Sequence, residues 1–311
     1  MQLAEPVFVC GALRSGSTLL HLMLDHHTNI DNPGEFDFMF DLVKNDGEFP
    51  ELKDYHEFLD NKRIFKSKNL TIDVTFSFSA LIQSFVVQLG KKNQILALNV
   101  HRNFHLIPLL FPNAKYIHLI RDPRDVARSI IEMGWRGNVY YGINQWLDTE
   151  QSWDKISTLI RPDQFTTVYY EKLIENPGAE LNNLCEFMGI PYSASMLDYP
   201  LHSTYKKPDK TLTQQWKRKL SRREIQYVEA KASAIMETRG FALSGHPLIE
   251  IGIIERVKLF LQNKIFRVNF GIKRYGFILY ASEKLTQFLG LKQLNKKYYL
   301  MKDEINRQNL R

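Results

Sequence analysis

Pro6-Val-Phe-Val-Cys-Gly-Ala-Leu-Arg-Ser-Gly-Ser-Thr-Leu-Leu20 decides how the rest of this chain is read. A short apolar run predicts a strand, Gly11 to Gly16 a tight loop, and Ser17-Thr18 the opening of a helix. This is the layout of a phosphate-binding loop, G-x-x-x-x-G-K-[ST]. The two glycines have the required spacing and Thr18 fills the Ser/Thr position, but Ser17 stands where nucleotide-hydrolysing loops carry lysine. Loop amides and a helix N-terminus still hold an anion. Arg14 adds a cation from within the loop. The expected ligand is therefore a nucleotide with a short anionic chain rather than a triphosphate for hydrolysis. The alternative is a loop that serves only as a tight turn.

Two segments downstream repeat the strand-then-loop arrangement. Lys115-Tyr-Ile-His-Leu-Ile120 is β-branched and aromatic, which predicts a strand, and Arg121-Asp-Pro-Arg-Asp-Val-Ala-Arg-Ser129 follows it. Asp122 suits an N-cap, Pro123 the first helical position and Asp125 the first turn. Val126, Ala127, Ile130 and Ile131 recur at helical spacing as a core face, leaving Ser129 off it and Arg121 at the strand end. The planar fork of arginine matches a phosphate. Phe165 to Tyr170 predicts another strand, followed by Glu171-Lys-Leu-Ile-Glu-Asn-Pro177 and a helix from Ala179 to Met188.

In this order, the three segments resemble the cofactor signature of sulfotransferases that use 3′-phosphoadenosine 5′-phosphosulfate (PAPS). The resemblance runs from about residue 5 to 245 and points to the broad group that includes tyrosylprotein enzymes and many bacterial carbohydrate and small-molecule enzymes. It implies that Ser15, Gly16, Ser17 and Thr18 hold the 5′-phosphate and that Arg14 neutralises charge on the bridging oxygen. It further implies that Arg121 and Ser129 bind the 3′-phosphate. An aromatic side chain is expected near the adenine: Tyr170, with Tyr169 as the alternative.

The base has more than one candidate. Ile30-Asp-Asn-Pro-Gly-Glu-Phe36 contains a turn ending in Gly34-Glu35, placed as in the tyrosylprotein enzymes, where a glutamate takes the acceptor's proton. Alternatively Glu35 caps the next helix or pairs with Arg14. Asn99-Val-His-Arg-Asn-Phe-His105 occupies the region where many relatives have lysine-threonine-proline. The departure puts a lysine contact from this segment in doubt and makes His101 and His105 the alternative bases. Two weaker candidates are the basic run Lys206 to Lys219, as a loop over the 3′-phosphate, and Trp135 in Met133 to Asn138, as an acceptor contact.

The 311 residues allow one large α/β domain with an appendage. Strands alternating with helices predict a three-layer α/β/α fold around a central parallel sheet, with ligands at the strands' carboxyl ends. The expected division is a catalytic domain over residues 1–245 and a basic, aromatic helical extension over 246–311. Residues 36–75 read as a mixed, charged insertion lining the site. Further helices are expected at 17–27, 79–89, 103–110, 143–159 and 221–239. Cys10 and Cys185 are the only cysteines, so neither a disulfide framework nor a metal-ligand spacing is expected. No signal peptide and no apolar run of about 18 residues is evident, and a cytoplasmic location is the expectation.

The net charge of +7 comes from the C-terminus, where residues 250–311 hold thirteen Lys/Arg against five Asp/Glu. Phe260, Phe266, Phe270, Tyr275, Phe277, Tyr280 and Phe288 are interleaved with them. That pattern fits a membrane surface, an acidic acceptor, or packing on the main domain or a second copy. The expected partners are PAPS and a hydroxylated acceptor, whether glycan, lipid or small molecule, with no metal and no nucleic acid. Other classes consistent with the loop are a nucleotide kinase and a non-catalytic nucleotide-binding scaffold.

Overall fold

Five parallel strands form the frame, and the computed structural model describes residues 5–309. β1 (Val7–Cys10) leads into α1 (Ser17–Asp25) and β2 (Ile30–Asp31). Then come α2 (Leu52–Leu59), α3 (Arg63–Ser67), α4 (Phe78–Leu89) and β3 (Ile95–Val100). β4 (Lys115–Ile120) precedes α5 (Pro123–Glu132), α6 (Val139–Gly142) and α7 (Asn144–Ser157). β5 (Phe165–Tyr169) continues into α8 (Tyr170–Glu175) and α9 (Pro177–Met188). The chain then forms α10 (Trp216–Lys219) and α11 (Arg222–Thr238). It ends in α12 (Ile253–Tyr275), α13 (Phe277–Phe288) and α14 (Lys292–Asn309). The strand order is β2-β3-β1-β4-β5, every pair parallel.

Strand alternation sends residues to both faces, and both faces are buried. Phe8, Cys10, Leu98, Val100 and Tyr116 belong to the core packed by α2, α3 and α4. Val7, Val9, Ala97, Ile117 and Leu119 belong to the core packed by α1, α8 and α9. A fully parallel sheet covered by helices on both sides is therefore the observed architecture, as expected. Buried charge also ties layers together. His118 on β4 stacks on Trp153 at 4.0 Å and lies 3.1 Å from Glu150, which Arg239 binds at 2.7 Å. Burial alone would raise the Glu150 carboxyl, yet His118 and Arg239 hold its pKa below the ordinary value.

Residues 36–75 depart from the expectation of an insertion around the site. Phe36, Phe38, Tyr55 and Phe65 are buried in the main core, with Phe36 edge-on to Phe38 at 4.6 Å. Arg63 is their contribution to the cleft lining. The helix expected at 103–110 is a 3₁₀ segment, Phe104–Leu109, with Pro108 inside it. Proline lacks the amide an α-helix needs there.

The C-terminal helices pack back onto the loop after α5. Gly137 N donates to Asn263 Oδ1 at 2.7 Å, and Asn138 Nδ2 donates to the Leu259 carbonyl at 2.8 Å. Arg63 on α3 faces Asp303 on α14 at 3.9 Å.

Candidate active site

The turn after β1 is built from two glycines that admit no side chain. A Cβ on Gly11 would lie 2.3 Å from the Leu119 carbonyl oxygen, inside the neighbouring strand. Gly16 has φ +98°, and a Cβ there would meet the Tyr170 ring at 2.3 Å. Arg14 takes a left-handed conformation, φ 74°, unusual for a side-chain-bearing residue. The loop closes with Ser15 N donating to the Ala12 carbonyl at 3.1 Å. α1 then starts at Ser17 without a side-chain cap, so its first-turn amides lack intrahelical partners. Such amides are the donors an anion needs.

The second and third segments close on this loop. Arg14 Nε donates to Ser129 Oγ at 2.9 Å across 115 residues of chain. Arg121 Nη1 donates to the Arg14 carbonyl at 3.1 Å and Nη2 to the Leu212 carbonyl at 2.9 Å. The Arg121 guanidinium also lies 4.3 Å from the centre of the Tyr170 ring. Its Nε is buried without a hydrogen-bond partner among the described residues. Tyr169, the alternative aromatic, turns away and donates its hydroxyl to the Arg239 carbonyl at 3.1 Å. Glu171 Oε1 accepts from the Asp122 amide at 3.0 Å, and burial pushes its carboxyl up to about 7.

Glu35 reaches the same cleft from β2's side. Its backbone pairs with Asn99 in a parallel bridge that prolongs the β2–β3 pairing. Asn99 N donates to the Gly34 carbonyl at 3.1 Å, and Phe36 N to the Asn99 carbonyl at 2.8 Å. Asn32 Nδ2 donates to Asn99 Oδ1 at 3.3 Å, so Asn99 holds the turn. Lys68 Nζ donates to the Pro33 carbonyl at 2.7 Å; burial lowers its pKa to about 8, with Glu35 opposing the shift. The Glu35 side chain is 44% exposed, facing the cleft.

His101 lies directly behind it. The ring Nδ1 donates to the Gly11 carbonyl at 2.8 Å, because a carbonyl can only accept. That leaves Nε2, buried and otherwise unpartnered, 3.8 Å from Glu35 Oε1. His105, like His101, is not among the residues lining the cleft. Its Nδ1 is hydrogen-bonded with Ser152 Oγ on α7 at 2.9 Å, and burial with Lys155 lowers its pKa. The 3₁₀ segment turns it toward α7.

The enclosing cleft has a volume of about 730 Å³. Arg14, Gly16, Ser17, Thr18, Glu35, Arg121 and Tyr170 line it, so most residues singled out in the sequence meet here. Ser15 is fully buried beneath the loop, and Ser129 is buried behind Arg14. Tyr205, Lys206, Lys207 and Asp209 close one side, and Met133 and Trp135 another. Arg63, Lys68 and Tyr205 carried no signal in the sequence, since each belongs to a segment without a motif.

The sequence model of the sulfotransferase family matches residues 6–194, and the chain belongs to that family. Among relatives, protein-tyrosine sulfotransferase A of Caenorhabditis elegans is 25% identical over 208 residues, covering 62% of this chain and 52% of that one. An uncharacterised protein of Aquifex aeolicus is 28% identical over 224 residues, covering 63% of this chain; the match spans 27% of that longer protein. Among solved structures, the sulfotransferase domain from the curacin biosynthetic pathway superposes with a TM-score of 0.57 at 19% identity. It covers 78% of this chain and 100% of that domain. This likeness establishes a shared fold. Among the described residues, no helix is long and apolar enough to cross a membrane.

Proposed function

We propose that the cleft binds PAPS and catalyses transfer of its sulfuryl group to an acceptor hydroxyl or amine. The observation that carries this reading is the Arg14–Ser129 hydrogen bond of 2.9 Å, with Arg121 on Arg14, opposite Glu35 in one cleft. In this reading the loop amides with Ser15, Gly16, Ser17 and Thr18 hold the 5′-phosphate. Arg121 and Ser129 take the 3′-phosphate, and the Tyr170 ring lies against the adenine. Ser17 in the lysine position leaves the loop without the group that grips a triphosphate's outer phosphates, which argues against a kinase.

Transfer needs alignment, stabilisation of the leaving oxygen and removal of one proton. The acceptor oxygen forms a bond to sulfur as the bond from sulfur to the bridging oxygen breaks. Adenosine 3′,5′-bisphosphate leaves, with Arg14 neutralising the charge on the departing oxygen. The acceptor's proton passes to the Glu35 carboxylate. His101, 3.8 Å away through Nε2, is the alternative destination for that proton. The requirement for a base can be met without a group outside this chain.

The test is radiolabelled transfer from PAPS to a panel of phenols, glycans and lipid alcohols. Labelled product that disappears in Glu35→Gln supports the reading, and no product with any acceptor class counts against it. Transfer that survives Glu35→Gln but is lost in His101→Ala assigns the base to His101.

A further inference from the structure

The long helix α12 is amphipathic twice over. Its inner face, Leu259, Asn263, Phe266 and Phe270, packs on the loop after α5, where a Cβ on Gly134 would lie 2.1 Å from the Phe270 ring. Its outer face carries Ile254, Val257, Leu261, Ile265 and Val268, spaced three and four residues apart and therefore in one stripe. Every member of this outer stripe is exposed, Ile254 to 87% and Ile265 to 60%. Phe277 and Ile278, at the start of α13, are exposed as well.

Charge decides what covers this stripe. From Arg256 to Ser282 the chain carries Arg256, Lys258, Lys264, Arg267, Lys273 and Arg274, and not one Asp or Glu. Glu255, just before, is occupied by Arg223 at 2.7 Å and by the Tyr227 hydroxyl. Lys258 and Lys264 flank the stripe and are exposed. A second copy docked stripe to stripe would bring two such cationic rims together, an arrangement disfavoured by like-charge repulsion. A surface of anionic lipid accepts the apolar side chains at the acyl boundary and pairs with the rim at the headgroups.

We infer that the outer face of α12 docks the protein on an anionic membrane surface, lying in the interface plane without crossing it. This goes beyond the transfer reading and stands on different residues. The opposite face of the same helix holds the loop that carries Met133 and Trp135 into the cleft. Docking would therefore fix the cleft's position relative to the membrane.

The experiment is co-sedimentation of the full chain with vesicles of phosphatidylcholine, with or without about one-third phosphatidylglycerol. Binding to the anionic vesicles should be about tenfold or more tighter than to neutral ones, and should fall steeply with added salt. The variant Leu261→Glu/Ile265→Glu should lose that binding with its thermal midpoint unchanged. Lys258→Glu/Lys264→Glu should weaken it on anionic vesicles alone. Equal binding to both vesicle types, or binding unaffected by either variant, overturns the proposal. So does a dimer in light scattering that the Leu261→Glu/Ile265→Glu variant dissociates, since the stripe would then join two copies.

Discussion

The segment from Val7 to Met188 and the helices from Ile253 onward both carry abundant Phe, Leu and Ile, but they dispose of them in opposite ways. In the first, Phe8, Phe36, Phe85 and Phe104 are fully buried in the core on one face of the sheet. In the second, α12 buries one apolar stripe and exposes another, and Ile278 and Phe288 are more than four-fifths exposed. Parallel strands have two faces that helices must cover, so core and cleft form together, with the cleft at the strands' carboxyl ends. The helix α12 rests on the domain with one face and leaves the other exposed. In the proposed reading the first region supplies chemistry and the second supplies a surface.

Breaking the chemistry should produce the largest change. Glu35→Gln is expected to lower turnover by roughly two to four orders of magnitude, the range for loss of a general base. Affinity for adenosine 3′,5′-bisphosphate, measured by calorimetry, should stay nearly the same, because the proposed role of Glu35 is toward the acceptor.

Contrasting the two faces of α12 tests the comparison next. Leu259→Ala, on the buried face, should cost about 2–5 kcal/mol of stability, the range for emptying a core site. Ile265→Ala, on the exposed face, should stay within about 0.5 kcal/mol. Chemical denaturation checks both. A large loss at Ile265 would mean that the outer stripe is packed in solution.

Within the cleft, Arg121→Ala should weaken adenosine 3′,5′-bisphosphate binding by about 1.5–3 kcal/mol, the scale of a charge-assisted hydrogen-bonding group. Unchanged affinity would remove Arg121 from the 3′-phosphate position.

The last effect is electrostatic. Burial raises the Glu171 carboxyl from 4.5 in the unfolded chain to about 7 in the folded one. The folded state thus holds this proton longer, and the associated stability is full below pH 4.5 and lost as pH rises toward 7. Wild type should therefore lose more of its thermal midpoint between pH 5 and 7.5 than Glu171→Gln, a window set by that raised pKa. Equal slopes would refute the assignment.

The parts of the fold readable from sequence were those governed by local patterns. The strands over Val7–Cys10, Lys115–Ile120 and Phe165–Tyr169 announce themselves as apolar or β-branched runs beside turn residues. β2 is only Ile30–Asp31, too short for any periodicity, and its pairing with β3 comes from tertiary context. Residues 36–75 looked like a charged excursion because Phe36, Phe38, Tyr55 and Phe65 follow no single period, and only the folded chain gathers them. In the site, Arg14, Arg121 and Ser129 were legible from motif order. The 3.8 Å approach of His101 to Glu35 was not, because it depends on the Asn99 bridge that lays the Glu35 turn beside β3. The different surroundings of His101 and His105 were not legible either: two histidines four residues apart look equivalent in sequence, and the 3₁₀ turn sends one of them to Ser152.

Competition between nucleotides tests the central claim most directly. Calorimetric titration of the full chain with adenosine 3′,5′-bisphosphate, and separately with ATP and magnesium, measures whether the cleft is built around a 3′-phosphate. Arg121 and Ser129 beside a loop with Ser17 in the lysine position predict much tighter binding of the bisphosphate. Preference for ATP with magnesium would contradict the sulfuryl-transfer account.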